Sequence, residues 1–108
     1  MKMTEAIDAL AALAQPSRLA VYRLLVQSGE GGLAAGEIAE RTGVATATLS
    51  FHLRTLAQAG LVHDRRDGRF IYYTANFAMM SGLVDFLTEN CCGGKSCAPQ
   101  PIARRRLR

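Results

Sequence analysis

The sequence predicts a mainly α-helical fold carrying one β-hairpin: a winged helix-turn-helix, assembled as a dimer. Three observations carry this expectation. Residues 43–62, GVATATLSFHLRTLAQAGLV, read as a glycine turn, a helix and a second glycine stop before an apolar exit. Residues 61–74 form two extended runs around Asp67-Gly68. The last periodic segment, Phe77 to about Glu89, is more apolar than a surface helix needs, which fits a dimer interface shared with the first helix.

Taken in order, Thr4 is placed to cap a first helix running to about Gln15. Glu5 and Asp8 in its first turns suit the helix dipole, and Ile7, Leu10, Ala11 and Ala14 give it an apolar face. Pro16 fits the first turn of a second helix. Leu19, Tyr22 and Val26 line one side of that helix, Leu24 and Leu25 broaden it, and Gly29, Gly31 and Gly32 end it. Residues 36–42 make a short helix with Ile38 and Ala39 facing inward. Small Ala39 permits close helix approach and Gly43 suits the bend that follows.

In the next helix Leu49, Leu53 and Leu56 are spaced i, i+4, i+7 and so share one face. Ala47, Ser50, Phe51, Arg54 and Gln58 lie opposite, offering a hydroxyl, an aromatic ring, a guanidinium and an amide to something outside. Ala45 stands where a Ser or Thr cap is usual, so Thr46 is the expected cap. Two short helices joined by a glycine turn form a helix-turn-helix, whose second helix enters the DNA major groove. An ordinary helical hairpin is the other reading of the stretch.

Asp-Gly between strand-like runs signals a two-residue hairpin turn, and Phe70, Ile71, Tyr72 and Tyr73 are good strand residues. Arg65, Arg66 and Arg69 cluster at its tip. A hairpin directly after a recognition helix is a wing, and a basic tip belongs against phosphates or in the minor groove. The alternative is a solvated basic turn partly neutralised by Asp64 and Asp67. The expected DNA-facing set is therefore Thr46, Ala47, Ser50, Phe51, His52, Arg54, Arg65, Arg66 and Arg69. Within it, Phe51 suits either a thymine methyl or packing against the wing, and His52 suits either DNA or helix packing.

The bulk numbers limit the function classes. A chain of 108 residues suits one folded domain, expected over residues 1–90, followed at 91–108 by a cysteine-containing segment and a basic tail expected to be disordered. The net charge of +4 resides in Arg104, Arg105, Arg106 and Arg108; without them nine basic residues balance nine acidic ones. Nucleic-acid binding must therefore rest on where charges sit, not on their sum. No run is apolar enough for a membrane span, and MKMTEAIDAL lacks a secretory cleavage pattern, so a cytoplasmic location with reduced thiols is expected. An enzyme lacks support: the chain shows no acid-base constellation, no glycine-rich phosphate loop and no C-x-x-C.

All three cysteines, Cys91, Cys92 and Cys97, fall within seven residues, outside the periodic pattern and beside Gly93, Gly94 and Ser96. The glycine pair lets the chain fold back and bring three thiols together, a donor set suited to a thiophilic ion. Structural zinc would want a fourth ligand and C-x2-C spacing, and His52 and His63 lie elsewhere. A reactive but functionless cluster remains the plain alternative.

These residues resemble the ArsR/SmtB family of arsenic-responsive winged-helix repressors. QPSRLAVYRLL is similar to that family's second helix, ATLSFHLRTLAQAGLV to its recognition helix and exit, and RRDGRFIYYT to its wing, a likeness covering roughly Glu5 to Cys92. The resemblance implies a homodimer formed by the first and last helices and bound to operator DNA upstream of resistance genes until an inducer releases it. Family members place their sensing sites differently. This chain has no cysteine at 34–38 and no histidine on the last helix, and resembles the type with a vicinal pair plus a further cysteine after that helix. Carried over, Cys91, Cys92 and Cys97 bind trivalent arsenic, and antimony as well. A thiol redox-sensing repressor, or a small thiol metalloid carrier or enzyme, are the rivals.

Overall fold

A computed structural model describes residues 1–94. The chain runs α1 (Met3–Leu13), α2 (Pro16–Ser28), a 3-10 turn at Gly29–Gly31, β1 (Leu33–Ala34), α3 (Ala35–Thr42), α4 (Thr46–Gln58), β2 (Val62–Asp67), β3 (Phe70–Ala75), α5 (Phe77–Thr88) and a second 3-10 turn at Cys91–Gly94. The three strands form an antiparallel sheet in the order β1-β3-β2. This is the expected winged helix-turn-helix. No helix among the described residues is long and apolar enough to cross a membrane.

The core is built where the helices converge on α4. Leu49, Leu53 and Leu56 are buried as their spacing requires, and pack with Val21, Tyr22 and Leu25 of α2, Ile38 of α3, and Leu61 and Val62 at the exit. Full burial of each such side chain contributes about 1.5–3 kcal/mol. Gly43 closes α3 in a left-handed conformation, with its N–H donating to the Ala39 carbonyl at 2.9 Å.

Several local expectations are corrected. α1 is entered from Lys2, whose backbone N–H donates to Glu5 Oε1 at 2.7 Å, so Thr4 lies inside the helix. It stops at Leu13 because the residue before Pro16 is driven to extended backbone: Gln15 has φ −155°, and its side chain caps α2 by accepting from the Arg18 N–H at 2.8 Å. The inward face of α1 is Ala6, Ala9 and Ala12, while Ile7 and Leu10 are exposed. Small side chains let α1 lie close to the core, and the larger ones are left facing out. On α2, Leu19 and Val26 are likewise exposed, and Val21 takes the buried place. Thr46 is the first residue of α4 and not its cap; Ala45 occupies the cap position without a side-chain bond. The hairpin loop is Gly68-Arg69, one residue later than Asp67-Gly68, because Asp67 pairs with Phe70. Gly68 takes φ +63° and Arg69 is not left-handed, the pattern of a II′ turn.

Asn76 fastens the recognition helix to α5. Its N–H donates to the Leu61 carbonyl and its Nδ2 to the Gly60 carbonyl, both at 2.8 Å, while Oδ1 caps α5 by accepting from the Met79 N–H at 3.1 Å. Only Leu83 of α5 is fully buried; Phe77, Val84 and Leu87 are exposed. Together with Met3, Ile7 and Leu10 of α1 they leave apolar side chains of both helices unburied in one protomer.

Candidate nucleic-acid interface and thiol segment

The buried leucine stripe of α4 turns Thr46, Ala47, Ser50, Phe51, Arg54 and Gln58 outward, and all are exposed. Phe51 is 56 % exposed, and its ring contact is edge-on with neighbouring His52 at 5.8 Å. His52 does not belong to the outward set. It is 9 % exposed on the packed side of α4, with Nδ1 buried and lacking a hydrogen-bond partner among the described residues. Its place at the edge of the leucine stripe decides this, and of its two readings the packing histidine stands.

The wing's register separates its arginines. Paired residues in an antiparallel ladder share a face, and faces alternate along each strand. Buried Val62 and Ala75 mark the face turned toward the core; Asp64 with Tyr73, and Arg66 with Ile71, continue it. Arg65 lies on the other face, over the Tyr72 ring at 5.0 Å, with Nη2 donating to the Gly31 carbonyl at 3.3 Å and Nη1 lying 3.7 Å from Asp67. Arg65 thus braces the wing against the turn before β1. Arg66 and Arg69 are exposed and make no ion pair among the described residues. Between α4 and the wing runs a cleft of about 370 Å³ lined by Ser50, Leu53, Arg54, Ala57, Asp64 and Tyr73. Asp64 and Tyr73 were not singled out as site residues from the sequence. Counting alternate positions from Val62 would have placed both on the recognition-helix side.

Beyond α5 the chain turns sharply. Asn90 and Cys92 each have φ +58°, and Cys91 and Cys92 are exposed with their Sγ atoms 3.9 Å apart. Two adjacent thiols at that separation can close on one soft ion with small side-chain rotations. No group of three metal-ligating side chains is present among the described residues. Cys97 and the basic tail lie outside the described residues.

A family model described as "Helix-turn-helix domain" matches residues 13–65. The chain is 33 % identical over 76 residues to the transcriptional repressor SdpR of Bacillus subtilis (strain 168), spanning 70 % of this chain and 81 % of that one. It superposes with TM-score 0.64 and 29 % identity on Mb0332 from Mycobacterium bovis, described as a homodimeric winged helix-turn-helix DNA-binding domain and a possible ArsR-family transcriptional regulator, covering 90 % of each chain. A solved structure described as a possible transcriptional regulator for arsenical resistance matches with TM-score 0.61 and 30 % identity, covering 93 % of this chain and 94 % of that one.

Proposed function

The chain belongs to the ArsR/SmtB family of winged helix-turn-helix transcriptional regulators, and from that premise we propose that it is a repressor of an arsenic-resistance operon, held on its operator as a homodimer and released by trivalent arsenic. The carrying observation is the exposed Cys91–Cys92 thiol pair, 3.9 Å apart and immediately beyond α5. Trivalent arsenic binds thiolates in a pyramid, and Cys97 is the third donor. Antimony(III), with the same preference, is the second inducer. The likeness to a possible regulator for arsenical resistance supports this choice.

The DNA-facing half follows from the exposed residues. Ser50, Phe51 and Arg54, with Thr46 and Ala47 at the helix start, enter the major groove, while Arg66 and Arg69 reach phosphates beside it. The exposed apolar residues of α1 and α5 meet their counterparts in a second protomer, a reading supported by the similar Mb0332 being described as homodimeric. The two halves are connected by α5. Its far end adjoins the thiols, and its near end is fastened by Asn76 to the exit of α4. An ion that constrains the far end weakens operator binding only if it prefers the free conformation over the DNA-bound one.

An electrophoretic shift on a palindromic operator tests this reading. Arsenite releases the DNA. Release by peroxide but not arsenite replaces the arsenic sensor by a thiol redox sensor, for which the same adjacent thiols qualify. A carrier or enzyme shifts no DNA.

A further inference from the structure

The cleft between α4 and the wing contains an acid where the rest of its polar lining invites an anion. A recognition helix in the major groove and a wing beside it straddle one sugar-phosphate strand, which must pass between them. Here the cleft between them is lined by Ser50, Arg54 and Tyr73, whose side chains all carry donors, and by the acid Asp64. The register fixes Asp64 there: it sits two residues beyond buried Val62 on the same face, paired with Tyr73. Asp67, the other wing acid, lies on the opposite face beside Arg65. Asp64 is exposed and makes no ion pair or hydrogen bond among the described residues, Arg54 of the same cleft included.

We propose that Asp64 is an affinity-setting residue: a negative charge held in the phosphate-bearing cleft, which weakens DNA binding of every sequence and keeps the operator complex within reach of the inducer. A coupling of typical size changes affinity by about 5–150-fold, so release requires that the starting affinity not be far above the working concentration. Ser50, Arg54 and Tyr73 seat the strand, and Asp64 opposes it by like-charge repulsion. The inference rests on the DNA-binding reading but not on the identity of the inducer.

The experiment is a fluorescence-anisotropy titration of the full chain on operator and on an unrelated duplex across a salt series. It compares wild type, Asp64→Asn, Asp64→Glu and, as a control with the same charge change away from the cleft, Asp85→Asn on α5. Two unit charges about 4 Å apart in water interact strongly enough for about a fivefold change, so Asp64→Asn should tighten both duplexes about fivefold. It should also steepen the log K against log salt slope by up to ~0.9. Asp64→Glu, which keeps the charge, should bind as wild type, and Asp85→Asn should change little. Equal gains in Asp64→Asn and Asp85→Asn, or no gain in Asp64→Asn while wild type binds its operator, would overturn the assignment. Failure of wild type to bind any duplex would instead remove the DNA-binding reading beneath it.

Discussion

Replacing Gly32 by alanine offers a direct test of how the wing is seated, because Gly29 supplies a matched control. Both glycines have backbone angles that side chains avoid, φ +73° and ψ −176° at Gly32 and φ +75° and ψ −160° at Gly29. Placing a side chain there costs about 1–3 kcal/mol in either case. The surroundings differ. A Cβ at Gly29 would meet nothing within 4 Å, whereas one at Gly32 would lie 2.5 Å from the Tyr73 carbonyl oxygen and 2.6 Å from Thr74 Cγ2. That carbonyl belongs to β3, paired with both β1 and β2, so only displacement of the strand relieves the collision. Overpacking of this kind adds about 1–3 kcal/mol, giving about 2–6 kcal/mol in all for Gly32→Ala. For a chain of this size each kcal/mol lowers Tm by about 4–8 °C. The assay is thermal and urea unfolding of both variants at one fixed protein concentration, since the proposed dimer would make Tm concentration-dependent. Equal losses in Gly29→Ala and Gly32→Ala would refute the claim that Gly32 is a contact point between the β1 entrance and β3.

Further expectations concern the reading face, the wing and the core. Arg54→Ala should weaken operator binding by about 1–3 kcal/mol, relaxing base preference if it reads a base and weakening all sequences alike if it holds a phosphate; unchanged affinity in both Arg54→Ala and Ser50→Ala removes this face. Arg66→Ala and Arg69→Ala should each flatten the salt slope by about 0.9. Arg65→Ala should flatten it less and lower Tm more, because Arg65 braces Gly31 and Tyr72. The Tyr22 hydroxyl is buried without a partner among the described residues, and burial raises its pKa above the ordinary 10.0. With the folded pKa above the unfolded one, the neutral phenol's stability is present below about pH 10 and lost as pH rises through the folded value. Tyr22→Phe should therefore unfold at equal or higher temperature at pH 7 and lack part of the alkaline loss seen in wild type; a loss above about 1 kcal/mol at pH 7 would indicate a partner for the hydroxyl.

Legibility in the sequence follows how local each signal is. The leucine stripe of α4, the Gly43 stop and the Asn76 cap depend on residues within a turn or two, and the structure has them as read. The apolar face read on α1, with Ile7 and Leu10, is not the face that meets the core, and of the apolar side read on α2 Tyr22 and Leu25 are buried while Leu19 and Val26 are exposed. In α1 the alanines approach the core, and Ile7 and Leu10 stay exposed. β1 has only two residues, and Leu33 and Ala34 are a strand solely because Tyr73 and Tyr72 pair with them. No pattern so short stands out from a loop. Of the expected DNA-facing residues, His52 turned inward and Arg65 proved to be engaged with the wing's own support. Asp64 and Tyr73 entered the cleft through strand register, which depends on pairing across the hairpin.

In the proposed mechanism the thiols after α5 control what α4 does on DNA. The most direct measurement is an arsenite titration of operator-bound protein by fluorescence anisotropy, wild type beside a Cys91→Ser/Cys92→Ser double variant. Both proteins should bind the operator equally before arsenite, because both thiols are exposed and lie beyond α5, away from α4 and the wing. Arsenite should then weaken wild-type binding by about 5–150-fold and leave the double variant bound. Full arsenite release of the double variant, or none from wild type, would rule out Cys91 and Cys92 as the inducer site.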